Sequence, residues 1–204
     1  MKKQLVEFIG TFLFVLSIGL IVKSGTVLAP LAIGWVLAVL VYGAWHLSWW
    51  HLNPAVTVWL IIRGKISVSD AISYIAAQLA GGILAGLVVT FLVGSIWNGI
   101  VSGNNLHIVI AEALFTFLLV YTVSSTATSQ WSSGNSFYWR AIGMAVATGA
   151  FAVGSISGWA FNPAVAIGGI FDGTFAASQV IFHLIGQFWW AILAALTYNY
   201  VDSK

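Results

Sequence analysis

Cysteine is absent from the 204 residues, which excludes disulfides and thiolate metal ligands. Charge is nearly absent: Asp, Glu, Lys and Arg make up 6% of the chain, against about 25% in a soluble domain. A surface so poor in charge cannot face water over its whole area. The net charge of +2 is too small for an electrostatic footprint on nucleic acid. Only three prolines occur, so their positions carry information. There is no nucleophile elbow, no metal-spaced set of His, Asp and Glu, and no Gly-x-Ser-x-Gly or paired-aspartate motif. The chain is therefore not expected to be an enzyme, and neither a cofactor nor a metal is expected.

What is abundant is apolar. Hydrophobic residues make up 60% of the chain and the mean hydropathy is +1.00. The natural solvent is then a lipid bilayer, where a spanning helix needs roughly 20 apolar residues. Six runs approach that length: Leu5 to Val22, Leu28 to Trp45, Ala71 to Val93, Ile108 to Val123, Phe137 to Val153 and Ala176 to Tyr200. Two more, Val56 to Ile62 and Val165 to Phe171, reach only about halfway across at roughly 1.5 Å per residue. Such pieces are expected to be re-entrant half-helices or interfacial segments. Met1-Lys2-Lys3 before an apolar run has the outline of a signal peptide. Glu7 interrupts that run, and Lys23-Ser24-Gly25 is a poor cleavage site, so the first run is expected to stay as a span.

If six spans alternate, Lys2, Lys3, Arg63, Lys65, Arg140 and Lys204 gather at one set of ends, and Lys23 falls at the other. The loop from Ser95 to Leu106 has no lysine or arginine. The positive-inside rule then puts both termini in the cytoplasm of a cell-membrane protein. Trp97, Trp131 and Trp139 sit near predicted span ends, where an aromatic belt would be.

The chain also repeats itself. Leu52-Asn53-Pro54-Ala55-Val56 returns as Phe161-Asn162-Pro163-Ala164-Val165, 109 positions later, and Ala32-Ile33-Gly34 returns as Ala141-Ile142-Gly143 at the same offset. Glu7-x-x-x-Thr11-Phe12-Leu13 returns as Glu112-x-x-x-Thr116-Phe117-Leu118, 105 positions later. Repeat one covers about 1–97 and repeat two about 106–204, within a single domain, 1–204. Three spans per half is an odd number, so the halves must be inserted in opposite senses, the inverted-repeat plan of many transport proteins. One Asn-Pro-Ala would be an ordinary helix start, with Asn as N-cap and Pro in the first turn. Here two of the three prolines open short apolar segments in matching halves.

At these residues the chain resembles the aquaporin, or major intrinsic protein, family, and most closely its bacterial water channels. His46-Leu47-Ser48-Trp49-Trp50-His51-Leu52-Asn53-Pro54-Ala55-Val56-Thr57 is similar to the family's G-H-I-S-G-G-H-F-N-P-A-V-T. Tyr74 to Gly82 resembles the family's third helix, and Ile156-Ser157-Gly158 precedes the second motif as it does there. The resemblance covers essentially the whole chain. It implies an all-α membrane protein with six transmembrane helices and two half-helices meeting at mid-membrane. It also implies a homotetramer in the bilayer, each subunit passing water or small neutral solutes. Asn53, Pro54, Ala55, Asn162, Pro163 and Ala164 would be the pore motifs. Glu7 and Glu112 would hold the loops, with His46 and His51 as further loop-supporting residues.

Elementary physics agrees. Each half-helix would point an N-terminus, equivalent to roughly half a positive charge, at the bilayer centre and repel cations. Asn53 and Asn162 could donate to a passing oxygen, turning that water's own hydrogens away and breaking a proton wire. An ionisable residue within a span is costly, and so is expected to be functional or paired. For Glu7 and Glu112 a structural role is favoured over a proton relay. Gln78 and Gln187 are expected to act between helices, as is His183.

The pattern breaks at the outer filter. The family usually has arginine directly after the second Asn-Pro-Ala, where Val165 stands here. The other filter positions map to Ile33, Ala150 and Trp159, so the usual histidine is missing as well. Trp159 with a small Ala150 is nearer the glycerol facilitators, although Ala166 replaces their aspartate. One charge at about 4 Å is worth roughly 4 kcal/mol at an effective dielectric near 20, about a thousandfold in a rate. The expected filter is apolar, less specific for water and less hostile to cations, open to glycerol, urea or ammonia. Alternatively Trp159 fills the space and makes the pore slow. His107 could approach the outer mouth. A coupled transporter normally carries charged sites near the midplane, and Glu7 and Glu112 are the only candidates. A closed structural member of the fold would pass nothing.

Overall fold

The computed structural model describes residues 1–95, 101 and 103–202, with only the backbone of 44 and 45. Trp97 and Lys204 lie outside the described residues. All regular structure among the described residues is helical. The order is α1 (Lys2–Lys23), α2 (Ala29–Ser48), α3 (Pro54–Ile62), α4 (Val68–Val93), α5 (Asn105–Val123), α6 (Tyr138–Ser157), α7 (Pro163–Asp172) and α8 (Ala177–Val201). Helices α1, α4, α6, α8 and α5 with its extension to Thr128 are long and apolar enough to cross a membrane. The 20-residue α2 contains a shorter apolar stretch, Ala29–Gly43. With α3 and α7 as the two short helices, this is the six-plus-two plan expected from the sequence.

Boundaries differ from the apolar runs where polar residues cap a helix. Ser67 accepts a hydrogen bond from the Asp70 backbone N–H, so α4 begins at Val68 rather than Ala71. Asn104 does the same for His107, so α5 begins at Asn105 rather than Ile108. Both satisfy backbone donors that the first helical turn leaves open. At the other end of α5 the run Ser124-Ser125-Thr126-Ala127-Thr128 forms a π-turn. The hydroxyls of Ser124, Ser125, Thr126 and Thr128 each donate to the carbonyl four residues earlier, and such competition loosens a helix end.

The packing follows the repeat. Helix α1 packs on α4 as α5 packs on α8, and α2 crosses α6 between the halves. Helix α3 packs on α8 and α7 on α4, so each short helix leans on the last long helix of the other half. Apolar association supplies little force between helices in lipid, and close backbone approach must do more. Helices α2 and α6 meet at Gly34 and Gly143, where an added Cβ would lie 2.6 Å from Gly143 O and 2.3 Å from Gly34 O respectively. Phe91, Ile72, Phe151 and Trp189 are among the large apolar side chains on the outer surface, as a lipid-facing belt requires. The buried interior, by contrast, holds Glu7, Gln78, Glu112, His183 and Gln187. The termini share one face: Met1, Lys2, Lys3 and Lys65 line one recess, and Arg63 pairs with Asp202 at 3.4 Å. Lys23 instead donates to Ser95 O, across from them.

Replacing Gly143 with alanine adds about 1 kcal/mol of helix propensity. The contact with a backbone oxygen that cannot retreat costs roughly 1–3 kcal/mol. Gly143→Ala is therefore expected to lower the unfolding midpoint in detergent. Gly43→Ala, where a Cβ meets nothing within 4 Å, is expected to raise it.

Candidate functional site: a channel between two crossed loops

The loops before α3 and α7 leave helical geometry in the interior of the protein. Leu52 and Phe161 have φ of 48° and 44°, and Trp50 and Trp159 have φ of 28° and 52°. Trp49 has φ of 68° and its counterpart Gly158 has 77°. Left-handed backbone costs a bulky residue on the order of 1–3 kcal/mol, so something must hold these turns.

Two buried glutamates do so in matching ways. Glu7 Oε1 accepts from the Ser48 hydroxyl at 2.7 Å and the His51 N–H at 3.0 Å. Its Oε2 accepts from the Leu52 N–H and the Gln78 amide, both at 2.9 Å. Glu112 Oε1 accepts from the Ser157 hydroxyl at 2.7 Å and the Ala160 N–H at 3.2 Å. Its Oε2 accepts from the Phe161 N–H and the Gln187 amide, both at 2.7 Å. Each carboxylate thus meets four donors with its four lone-pair sites. Burial without such partners would be expensive.

The Asn-Pro-Ala motifs are also paired. Asn53 caps α3 by accepting from the Ala55 N–H, and its Nδ2 donates across the gap to Phe161 O at 2.9 Å. Asn162 accepts from the Ala164 N–H and donates to Leu52 O at 2.8 Å. Pro54 and Pro163 open their helices without needing an acceptor for a backbone N–H. The two helix N-termini therefore meet, tied crosswise. Each amide spends one N–H on the tie and has a second. Pro54, Ala55, Pro163 and Ala164 are all buried behind the asparagines.

A cavity runs past this junction. Its wall includes both loops, from Trp49 to Asn53 and from Trp159 to Asn162, with apolar residues such as Phe14, Ile18, Leu37, Val56, Leu119 and Val146. No lysine, arginine, aspartate or glutamate is among its wall residues. Helix-terminal dipoles, the amides of Asn53 and Asn162, His51, Thr128 and the indole N–H groups are the polar features of an otherwise apolar passage. Irregular backbone within a membrane is tolerated where it lines such a passage.

Matches in sequence support the geometry. The family model for the major intrinsic protein matches residues 1–137 and 99–204. The chain belongs to the major intrinsic protein family. It is a passive membrane channel of that family, whose members include water channels and glycerol facilitators. It is similar to the glycerol uptake facilitator protein-like 6 of Lactiplantibacillus plantarum, with 32% identity over the whole of both chains. It is similar to aquaporin AqpM of Methanothermobacter thermautotrophicus, with 30% identity over 100% of this chain and 98% of the other. Its fold matches the aquaglyceroporin of Plasmodium falciparum with a TM-score of 0.80, at 18% identity, covering 99% of this chain and 95% of that one.

Of the four residues mapped to the outer filter, the structure brings Ile33 and Trp159 to the cavity wall. Ala150 and Val165 are each 2% exposed and are not among the wall residues. The Trp159 ring covers Gly154, where an added Cβ would lie 2.2 Å from Cε3. His51 is buried on the wall, its Nδ1 3.0 Å from Thr57 Oγ1 and its backbone N–H on Glu7. His46 is exposed in the last turn of α2, and His107 is exposed in the first turn of α5. His183 Nε2 lies 2.7 Å from Ser157 O.

Several supporting residues were given no role by the sequence, although Ser48, Ser157 and Tyr74 lie in the segments that carry the resemblance. Ser48 and Ser157 sit 109 positions apart, as do Tyr74 and His183. Tyr74 donates to Ser48 O at 3.4 Å where His183 approaches Ser157 O. The offset already seen at Asn-Pro-Ala is the signal that could have found them.

Glu112→Ala orphans the Ala160 and Phe161 N–H groups, each costing roughly 1–3 kcal/mol. It is expected to lower both the unfolding midpoint and the osmotic water permeability per inserted protein. Ser157→Ala leaves no backbone donor unpaired and is expected to cost about 1 kcal/mol. Equal effects from the two variants would show that the loop does not depend on the carboxylate.

Proposed function

We propose that the channel passes water together with small uncharged solutes such as glycerol, urea or ammonia. The carrying observation is that no charged residue lines the cavity, with Val165 standing where a filter arginine would. In this reading Ile33 and Trp159 line the outer end, and Ala150 and Val165 belong to it by the family pattern alone. The facing N-terminal dipole ends of α3 and α7 still oppose cations at the centre. Without a guanidinium there is one barrier fewer, and no fixed charge that favours water over other neutral molecules. Asn53 and Asn162 each present a second amide N–H to a passing oxygen. Transport needs no covalent step.

The face bearing Lys2, Lys3, Arg63 and Lys65 is assigned to the cytoplasm on the positive-inside rule, with both termini on it in a cell membrane. A homotetramer, one pore per subunit, fits the apolar outer surface. Glu7 and Glu112 are saturated by loop N–H groups and by serine and glutamine donors from the helices, which supports scaffold roles rather than ion coupling.

Stopped-flow light scattering on proteoliposomes tests this, with sucrose, glycerol and urea gradients. The wild type is expected to shrink rapidly in sucrose and to re-swell in glycerol or urea. Val165→Arg is expected to slow glycerol and urea entry roughly tenfold or more, since a buried charge contributes several kcal/mol at short range. Unchanged solute selectivity in that variant would remove Val165 from the filter.

A further inference from the structure

Trp49 stands at a junction. It lines the central cavity, the recess formed with Lys2, Lys3, Lys65 and Asp70, and the recess formed with Thr126 to Asn135. Lys65 borders both recesses, which places them on the basic face, with Trp49 shared between them and the central cavity. Its neighbour Trp50 is half-buried on the cavity wall. The Trp50 ring fits beside Gly10 of α1, where an added Cβ would come within 3.3 Å of Cε2 and Cζ2.

Two bulky residues in succession take left-handed backbone here, at φ of 68° and 28°. At the equivalent places in the second repeat the chain has Gly158 and Trp159. The first repeat thus accepts strain at Trp49 that its counterpart avoids with glycine. Strain of this kind persists where surrounding structure enforces it, and it gathers at functional positions.

The polar atoms supply a second, independent observation. Trp50 Nε1 and Trp59 Nε1 are buried and have no hydrogen-bond partner. Both residues are on the cavity wall, and Trp59 is fully buried. The position equivalent to Trp59 in the second repeat is Gly168, so this pair of donors belongs to the basic end alone. A buried donor without an acceptor is costly. An oxygen entering the passage is the acceptor that the protein does not provide. An indole also offers a flat apolar face beside its N–H.

We propose that Trp49 and Trp50, with Trp59, form a second selectivity element at the basic-face end of the pore, favouring small neutral solutes that carry oxygen acceptors on an apolar frame, such as short polyols. Trp49 restricts the width and offers an apolar face, while Trp50 and Trp59 supply donors. The proposal deepens the neutral-solute reading above and rests on it.

The test uses the full chain in proteoliposomes, normalised to inserted protein, with water, glycerol and the bulkier erythritol as probes. Trp50→Phe keeps the ring and removes the donor. It is expected to lower the glycerol-to-water permeability ratio about fivefold, the scale of one net hydrogen bond. Trp49→Gly places glycine in backbone that suits it and is therefore expected to fold. It should raise erythritol entry more than glycerol or water entry. If Trp49→Gly raises all three equally and Trp50→Phe leaves the ratio unchanged, the indoles merely obstruct and the proposal is overturned. A wild type that passes water but neither polyol overturns the functional reading and this one with it. A wild type that passes glycerol, with both variants indistinguishable from it, overturns this one alone.

Discussion

A backbone that leaves helical geometry inside a membrane must find every hydrogen-bond partner within the protein. In this chain that requirement falls on two short loops, and one carboxylate in each half meets much of it. Glu7 and Glu112 each bind two consecutive or nearly consecutive backbone N–H groups, a serine hydroxyl and a glutamine amide. The loops so held set the start of α3 and α7, and those starts place Asn53 and Asn162. The asparagines then tie each loop to the other. A disturbance of either glutamate would reach the opposite half through that tie. The halves are further interlocked because α3 leans on α8 and α7 on α4.

The two halves share a frame but not a chemistry. Thr57 hydrogen-bonds His51 and Gln78 in the first half. Ala166 takes its place in the second, and Gln187 Oε1 is left without a partner. Tyr74 and His183 serve equivalent carbonyls with different groups. Trp49 and Trp59 face the small residues Gly158 and Gly168 across the pseudo-symmetry. The frame makes a passage whose ends meet different faces of the membrane, and these substitutions give the ends different walls. The α5 extension adds to the difference, since Thr128 of its π-turn borders the cavity.

Much of the frame was legible in the order of residues. Apolar runs located all eight helices, because a bilayer requires sustained hydrophobicity and the sequence supplies it with few interruptions. The displaced starts of α4 and α5 follow from Ser67 and Asn104, polar caps that a hydropathy window passes over. The doubled Asn-Pro-Ala located both loops, since a proline one residue after an N-cap leaves the chain few alternatives. Glu7 and Glu112 stood out because a lone carboxylate in an apolar run must be paired. Their individual partners were not readable, because a lone carboxylate does not say which distant donors it will meet.

The wall of the passage was the least legible part. Whether a side chain faces the cavity depends on rotation about its helix and on what packs behind it. The family pattern placed Ile33, Ala150, Trp159 and Val165 in one group, and the structure puts two of them on the cavity wall. Trp49 and Trp50 stand inside the first motif, where the sequence assigned them no role. Their left-handed backbone and the unpartnered indole N–H of Trp50 exist only once the loop is folded. Sequence alone determined that this chain is a membrane protein of six spans and two half-helices, because hydrophobicity, repeat and capping act locally. Tertiary structure alone decided which donors saturate the carboxylates and which residues face the pore, because those depend on contacts between segments some 40 to 110 positions apart.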